Sequence, residues 1–155
     1  MGEQIKNNIL DIEGITLSPL KIIEVEGGNV LHGLKSIESS FYGFGEAYFS
    51  TIAFGTVKAW KRHTEMVLNL IVPSGNIRFV LFDDRKESQS YRTFGEVSLS
   101  IDNYYRLTVP PMLWMGFQGL ANQNSMLLNI ANISHRPDEV DRKAIHEINY
   151  DWEIK

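Results

Sequence analysis

Apolar and polar residues alternate with a period of two along the middle of the chain, a spacing that admits little except β-structure. Val97, Leu99 and Ile101 alternate with Ser98 and Ser100. Tyr105, Leu107 and Val109 alternate in the same way with Arg106 and Thr108. Successive strand side chains point to opposite faces, so each run reads as a strand with one face buried. Met66–Val72 and Ile77–Phe82 are instead nearly continuous apolar runs, separated by Pro73-Ser74-Gly75-Asn76. That turn chemistry predicts a hairpin buried on both faces. Met126–Ile133 reads as a further strand, interrupted by Asn129 and Asn132, and Asp102-Asn103 and Pro110-Pro111 mark turns or strand ends. Short strands at this spacing imply an all-β sandwich or barrel. One short C-terminal helix is predicted. Pro137 starts it, Asp138 and Glu139 suit its positive end, and Val140, Ala144, Ile145 and Ile148 supply an apolar stripe.

The chain has 155 residues, which suits one domain over 1–155, with residues 1–15 forming either a loose N-terminal arm or an added strand. There is no cysteine, which excludes disulfides and thiolate metal sites and fits a reducing cytosol. The formal net charge is −4 and no long basic tract occurs, so nucleic acid is not an expected partner. The start MGEQIKNNIL lacks the pattern of a signal peptide, and Lys6 stands where a myristoylation signal wants Ser or Thr. No apolar run approaches the roughly 20 residues that span a bilayer. The expectation is a cytoplasmic protein with no membrane partner.

The densest polar chemistry lies in Lys58-Ala59-Trp60-Lys61-Arg62-His63. On a regular strand, Lys61 and His63 share one face, and Lys58, Trp60 and Arg62 share the other. A histidine facing a pocket can remove a proton next to a carbonyl. A neighbouring lysine can hold the oxyanion that develops, or act as the base if like charges lower its pKa. The competing reading is a solvated edge strand, which often carries lysine. Farther on, Pro110-Pro111 reads as a rigid loop entering a strand at a barrel rim, because two prolines do not sit inside a central strand. Trp114 and Met115 after it would form either an apolar ligand wall or plain core. The glycine-rich stretches do not form a phosphate loop. His32, His63, His135 and His146 lack ligand spacing, so no metal is expected. Asp83-Asp84-Arg85 reads as paired turn charges rather than an acid/base pair.

Several of these segments resemble one family in order and spacing. The run Asp84-Arg85-Lys86-Glu87-Ser88-Gln89-Ser90-Tyr91 is similar to the D-x-R-x-x-S-x-T/S-[FY] run of dTDP-4-dehydrorhamnose 3,5-epimerases. Val97–Asn103 resembles that family's V-x-L-S-x-E-N, and Arg106–Phe117 its R-x-L-x-I-P-x-G-F-A-H-G-F. Ile148-Asn149-Tyr150-Asp151-Trp152 is similar to its I-x-W ending, and Glu26-Gly27-Gly28 weakly echoes its D-x-R-G. The likeness covers roughly Gly55 to Trp152. It implies a cupin-type jelly-roll barrel, a homodimer, no cofactor, and a nucleotide-linked keto-deoxysugar as ligand.

The chain departs from that pattern at the catalytic positions. The family's R-G-L-H falls on Lys58-Ala59-Trp60-Lys61, so lysine stands where the basic histidine is expected, with His63 two residues on. The oxyanion-binding lysine would fall near Met66–Asn69, where there is none, and the acidic tyrosine near Leu128. Met115 replaces the histidine of A-H-G-F, and Gly27 meets the arginine of D-x-R-G. The expected function is an epimerase or isomerase of a dTDP-4-keto-6-deoxy sugar in deoxysugar or polysaccharide biosynthesis. His63 and Lys61 are its catalytic candidates. Lys58, Trp60, Arg62, Trp114, Met115 and Asn129 are the substrate-binding candidates. The alternative is a cupin that binds a sugar nucleotide or carbohydrate without turnover.

Overall fold

A computed structural model describes residues 8–155, in which twelve strands alternate with short turns. In chain order they are β1 (Thr16–Pro19), β2 (Ile22–Ile23), β3 (Val30–Leu31), β4 (Glu46–Ile52), β5 (Val57–His63) and β6 (Leu68–Ser74). They continue with β7 (Asn76–Phe82), β8 (Phe94–Ser100), β9 (Tyr105–Val109), β10 (Trp114–Gly119), β11 (Ser125–Ala131) and β12 (Val140–Arg142). One antiparallel sheet has the order β1-β9-β6-β11-β4 and the other β12-β5-β10-β7-β8, with β2-β3 a small ribbon apart. The all-β jelly-roll expectation holds.

The main core lies between the two large sheets. Leu68, Leu70 and Val72 of β6 and Ile77, Phe79 and Leu81 of β7 all point into it, as period-2 strands require. The alternate residues of β7, Val80 and Phe82, enter a second cluster on the outer face with Trp60, Trp114 and Ile148. That two-sided burial explains why β7 reads as a continuous apolar run.

The predicted hairpin is corrected. β6 and β7 are consecutive but belong to different sheets, β6 pairing with β9 and β11, and β7 with β8 and β10. Gly75 turns the corner with φ 86°, and a Cβ there would lie 2.3 Å from the Ser125 hydroxyl. Glycine alone meets both demands cheaply.

The single C-terminal helix is also corrected. A 3₁₀ turn at Pro137–Glu139 leads into strand β12, and a second 3₁₀ turn spans Ile145–Glu147. β12 completes the edge of the sheet by pairing with β5, Val140 opposite His63 and Arg142 opposite Lys61. Pairing with an open strand edge wins over a helical stripe too short to stand alone.

Residues 1–7 of the expected N-terminal arm lie outside the described residues. Beyond them, Ile9 and Ile12 are buried in the main core, and Gly95 of β8 leaves room for this turn. The segment is tied down by Asp83, which is wholly buried at the end of β7. Its carboxylate accepts bonds from the backbone and side chain of Arg85 and from Ser88 and Ser90. Arg85 and Ser90 in turn hold Glu13, through its carbonyl and its N–H. Asp83 is thus the structural acid of the Asp–Arg–Ser run, one residue before the Asp84 read from sequence.

Burial pushes the Asp83 pKa up, but the donors from Arg85, Ser88 and Ser90 outweigh it and hold the carboxyl well below the usual range. Its folded pKa lies below its unfolded value, so its stabilisation is present above about pH 4 and lost as pH falls from there. In thermal melts, Asp83→Asn is expected to be less stable near neutrality and to lose less stability on acidification than wild type. Parallel pH profiles for the two proteins would contradict this role.

Candidate active site

Between the two sheets opens a cavity of about 480 Å³. Its walls are Lys58, Lys61 and His63 of β5, Met115 and Phe117 of β10, Leu127 and Asn129 of β11, Tyr48 and Ser50 of β4, with Arg142 of β12 and His135 at the rim.

β5 carries a bulge that decides which of its residues enter. Its register with β10 runs Met115 to Lys61 and then Phe117 to Lys58, so one extra residue sits on the β5 side. Simple alternation places Lys58 opposite to Lys61 and His63. The bulge rotates it back, and all three line the cavity.

Trp60 and Arg62 point the other way. Trp60 borders the cavity, but its ring belongs to the outer cluster and its indole N–H donates to the Ile145 carbonyl at 3.2 Å. Arg62 donates to Asp141 at 2.7 Å and stacks 4.6 Å from the Trp114 ring centroid. Trp114 is buried in that same cluster. The structure therefore separates these residues from the predicted ligand wall: Trp60, Arg62 and Trp114 form the packed back of the sheet. Met115 and Asn129 do face the cavity.

His63 is held from behind. Its Nδ1 lies 2.7 Å from Oε1 of Glu139, a carboxylate with 0% side-chain exposure. The other oxygen of Glu139 accepts the backbone N–H groups of Glu65 and Met66 at 3.1 and 2.9 Å. With Nδ1–H donated to the carboxylate, the Nε2 lone pair is left for the cavity, the arrangement a general base needs. The Pro110-Pro111 loop adds a further clamp, since Met112 donates its N–H to the His63 carbonyl at 2.7 Å.

The cavity walls are cationic although the chain is acidic overall. Lys61 and Arg142 are cross-strand neighbours, a like-charge pair that costs stability wherever nothing anionic lies between them. Neither makes an ion pair with another described residue. Lys61 stays accessible to solvent, yet desolvation by the cavity wall lowers its pKa, and Arg142 and Lys58 add to the effect. Lys58 donates to the Thr51 carbonyl at 3.0 Å. Among the described residues, no group of three or more His, Asp or Glu side chains converges to hold a metal ion.

Tyr48 and Asn129 face each other across β4 and β11 in register, and the Asn129 side-chain N–H donates to the Tyr48 hydroxyl at 2.9 Å. Burial raises the Tyr48 pKa and the Glu46 carboxylate adds to this.

Comparison with known proteins fits this geometry. A dTDP sugar isomerase from Desulfovibrio desulfuricans G20 has a similar structure, with 39% identity, 92% of each chain covered and a TM-score of 0.89. The chain belongs to the dTDP-sugar isomerase family. The likeness to dTDP-4-dehydrorhamnose 3,5-epimerases read from the motifs holds for the fold. The enzyme of that name from Sulfolobus tokodaii is 24% identical over 89% of this chain and 81% of its own, with a TM-score of 0.76. Among curated relatives, the probable low-salt glycan biosynthesis epimerase of Haloferax volcanii is 27% identical over 100 residues, and the match spans 64% of that protein's length. No protein-family model matches the chain.

Tyr48 and Arg142 were not singled out in the sequence, Glu139 was read only as an acid at the start of a helix, and His135 only as a histidine without ligand spacing. Glu139 follows Pro137-Asp138 and imitates the first turn of a helix.

Glu139→Ala leaves the backbone N–H groups of Glu65 and Met66 unpaired, at about 1–3 kcal/mol each. It is expected to destabilise the protein by roughly 2 kcal/mol or more in urea unfolding. His63→Ala keeps both bonds and should cost clearly less. Equal losses would contradict the clamp.

Proposed function

We propose that this chain is an epimerase or isomerase of a dTDP-linked 4-keto-6-deoxy sugar in the building of a polysaccharide or glycan. The observation that carries the reading is the buried Glu139 carboxylate behind His63, with His63 facing a cavity walled by unpaired cations. Family membership and the glycan-biosynthesis relative support the substrate class.

Protons on a carbon next to a ketone are acidic enough for a side-chain base, so the reaction needs no cofactor. His63 Nε2 removes such a proton and the electron pair moves onto the ketone oxygen as an enolate. Lys61 lies on the same face, about 7 Å along the strand from His63, and supplies positive charge to that oxygen. Arg142 and Lys58 receive the diphosphate, and Met115 and Phe117 give the sugar ring or base an apolar wall. A diphosphate between Lys61 and Arg142 relieves their repulsion, so binding and charge pairing favour each other.

The protein acts as a homodimer in this reading. Support comes from β4, an edge strand whose outward Phe49 is 63% exposed beside Leu128 of β11. A cytoplasmic location follows the nucleotide-linked substrate. No helix among the described residues is long and apolar enough to cross a membrane.

The test is incubation with dTDP-4-keto-6-deoxyglucose in D2O, followed by NMR of the ring protons. Deuterium is expected at a carbon flanking the ketone, with His63→Asn slowing its entry by about 10²-fold or more. Absence of exchange, with binding shown by a thermal shift, would overturn the enzymatic reading in favour of a binding cupin.

A further inference from the structure

Among the described residues, three lysines border the cavity: Lys58, Lys61 and Lys143. Two of them are engaged. Lys58 donates to the Thr51 carbonyl at 3.0 Å, and the Lys143 amine lies 5.1 Å from the centroid of the Trp114 ring on the back of the sheet. The Lys61 amine makes no hydrogen bond or ion pair with a described residue. Lys61 shares its strand face with His63, two residues on, and pairs across the strands with Arg142. The cavity therefore presents one uncommitted amine beside a fixed cation and a base.

Holding an oxyanion does not explain why that residue is lysine. Arginine carries a permanent charge and would hold one at least as well. Lysine differs in that its amine can lose a proton and become a nucleophile, and desolvation or a neighbouring cation favours the neutral form. Both act on Lys61. Desolvation against the cavity wall lowers its pKa most, and Arg142 and Lys58 lower it further. The natural electrophile for such an amine is a ketone, and a ketone is the group the proposed substrate brings into this cavity.

We propose that Lys61 is a covalent catalyst, its amine condensing with the sugar ketone to form an iminium ion within reach of His63. The proposal rests on the epimerase reading above and states how Lys61 serves it: the positive charge is bonded to the reacting carbon instead of lying beside the oxygen. The Nζ lone pair attacks the carbonyl carbon, and the C=O pair moves to oxygen, which takes the proton that the nitrogen gives up. That hydroxyl then takes a proton from solvent and leaves as water while the nitrogen lone pair forms C=N⁺. His63 Nε2 removes a proton from the adjacent carbon. The C–H pair forms a C=C bond and the C=N pair returns to nitrogen, giving a neutral enamine. Return of a proton to that carbon restores the iminium, and water adds to it and releases the amine. The water lost is thus regained, and no oxidant or reductant is consumed. The iminium nitrogen is cationic without holding an extra proton, so it keeps the pairing with the diphosphate that a neutral amine gives up.

Incubation with dTDP-4-keto-6-deoxyglucose and sodium cyanoborohydride, followed by peptide mass mapping, tests this, because cyanoborohydride reduces an iminium ion to a stable amine and spares the ketone. The sugar nucleotide is expected to become bonded to Lys61. Lys61→Arg keeps the charge and should lose both the adduct and the entry of deuterium from D2O. In D2O labelled with ¹⁸O, wild-type sugar that has gained deuterium should also have exchanged its ketone oxygen, faster than buffer alone exchanges it. Deuterium entry without an adduct, or with the ketone oxygen retained, would overturn the proposal. So would an adduct confined to Lys58 or Lys143, or deuterium entry at the wild-type rate in Lys61→Arg. Absence of deuterium entry in wild type is a different failure, since it removes the epimerase reading itself.

Discussion

The site depends on one buried carboxylate. Glu139 fixes three things at once: the orientation of His63, the backbone of Glu65 and Met66 at the exit of β5, and the start of β12. A carboxylate with no solvent is stable only when donors surround it, so removing any of these partners weakens the others. Through β12 the same residue sets Arg142 opposite Lys61 and creates the like-charge pair. The His63–Glu139 pair and the Lys61–Arg142 pair are therefore both built by a single capture of the C-terminal segment against an open strand edge.

The second constraint is the bulge in β5. Without it, Lys58 would lie on the packed back of the sheet with Trp60 and Arg62. With it, three ionisable side chains share one wall, while Trp60 stays sealed against Trp114 and Ile148. The outer cluster makes that wall stiff from behind. Trp60 and Trp114, two of the candidate ligand-wall residues, pack behind the sheet, while Met115, the third, lines the cavity with Phe117 and Leu127.

Period-2 alternation revealed most strands, because burial of one face leaves a mark that sequence preserves. It also showed that β7 is buried on both faces. It could not show that β6 and β7 part into different sheets, since a tight turn between apolar runs looks the same in a hairpin and at a corner. Lys61 and His63 were legible because they sit two apart on a strand. Lys58 was misplaced because one bulged residue reverses the parity of everything beyond it. Tyr48 and the clamp by Glu139 were invisible for another reason: long-range pairing brings Tyr48 to the cavity opposite Asn129 and sets Glu139 behind His63 through Val140, which local pattern does not encode.

Glu139 holds His63 with its Nε2 lone pair toward the cavity. Long-range ¹⁵N–¹H correlation of the imidazole reads that tautomer directly in the free protein. A proton on Nδ1 is expected in neutral His63, and its loss as the dominant form in Glu139→Gln, where the side-chain amide can donate to that nitrogen. A neutral His63 carrying its proton on Nε2 in the wild type would rule this clamp out, because the nitrogen facing the cavity would then have no lone pair to offer.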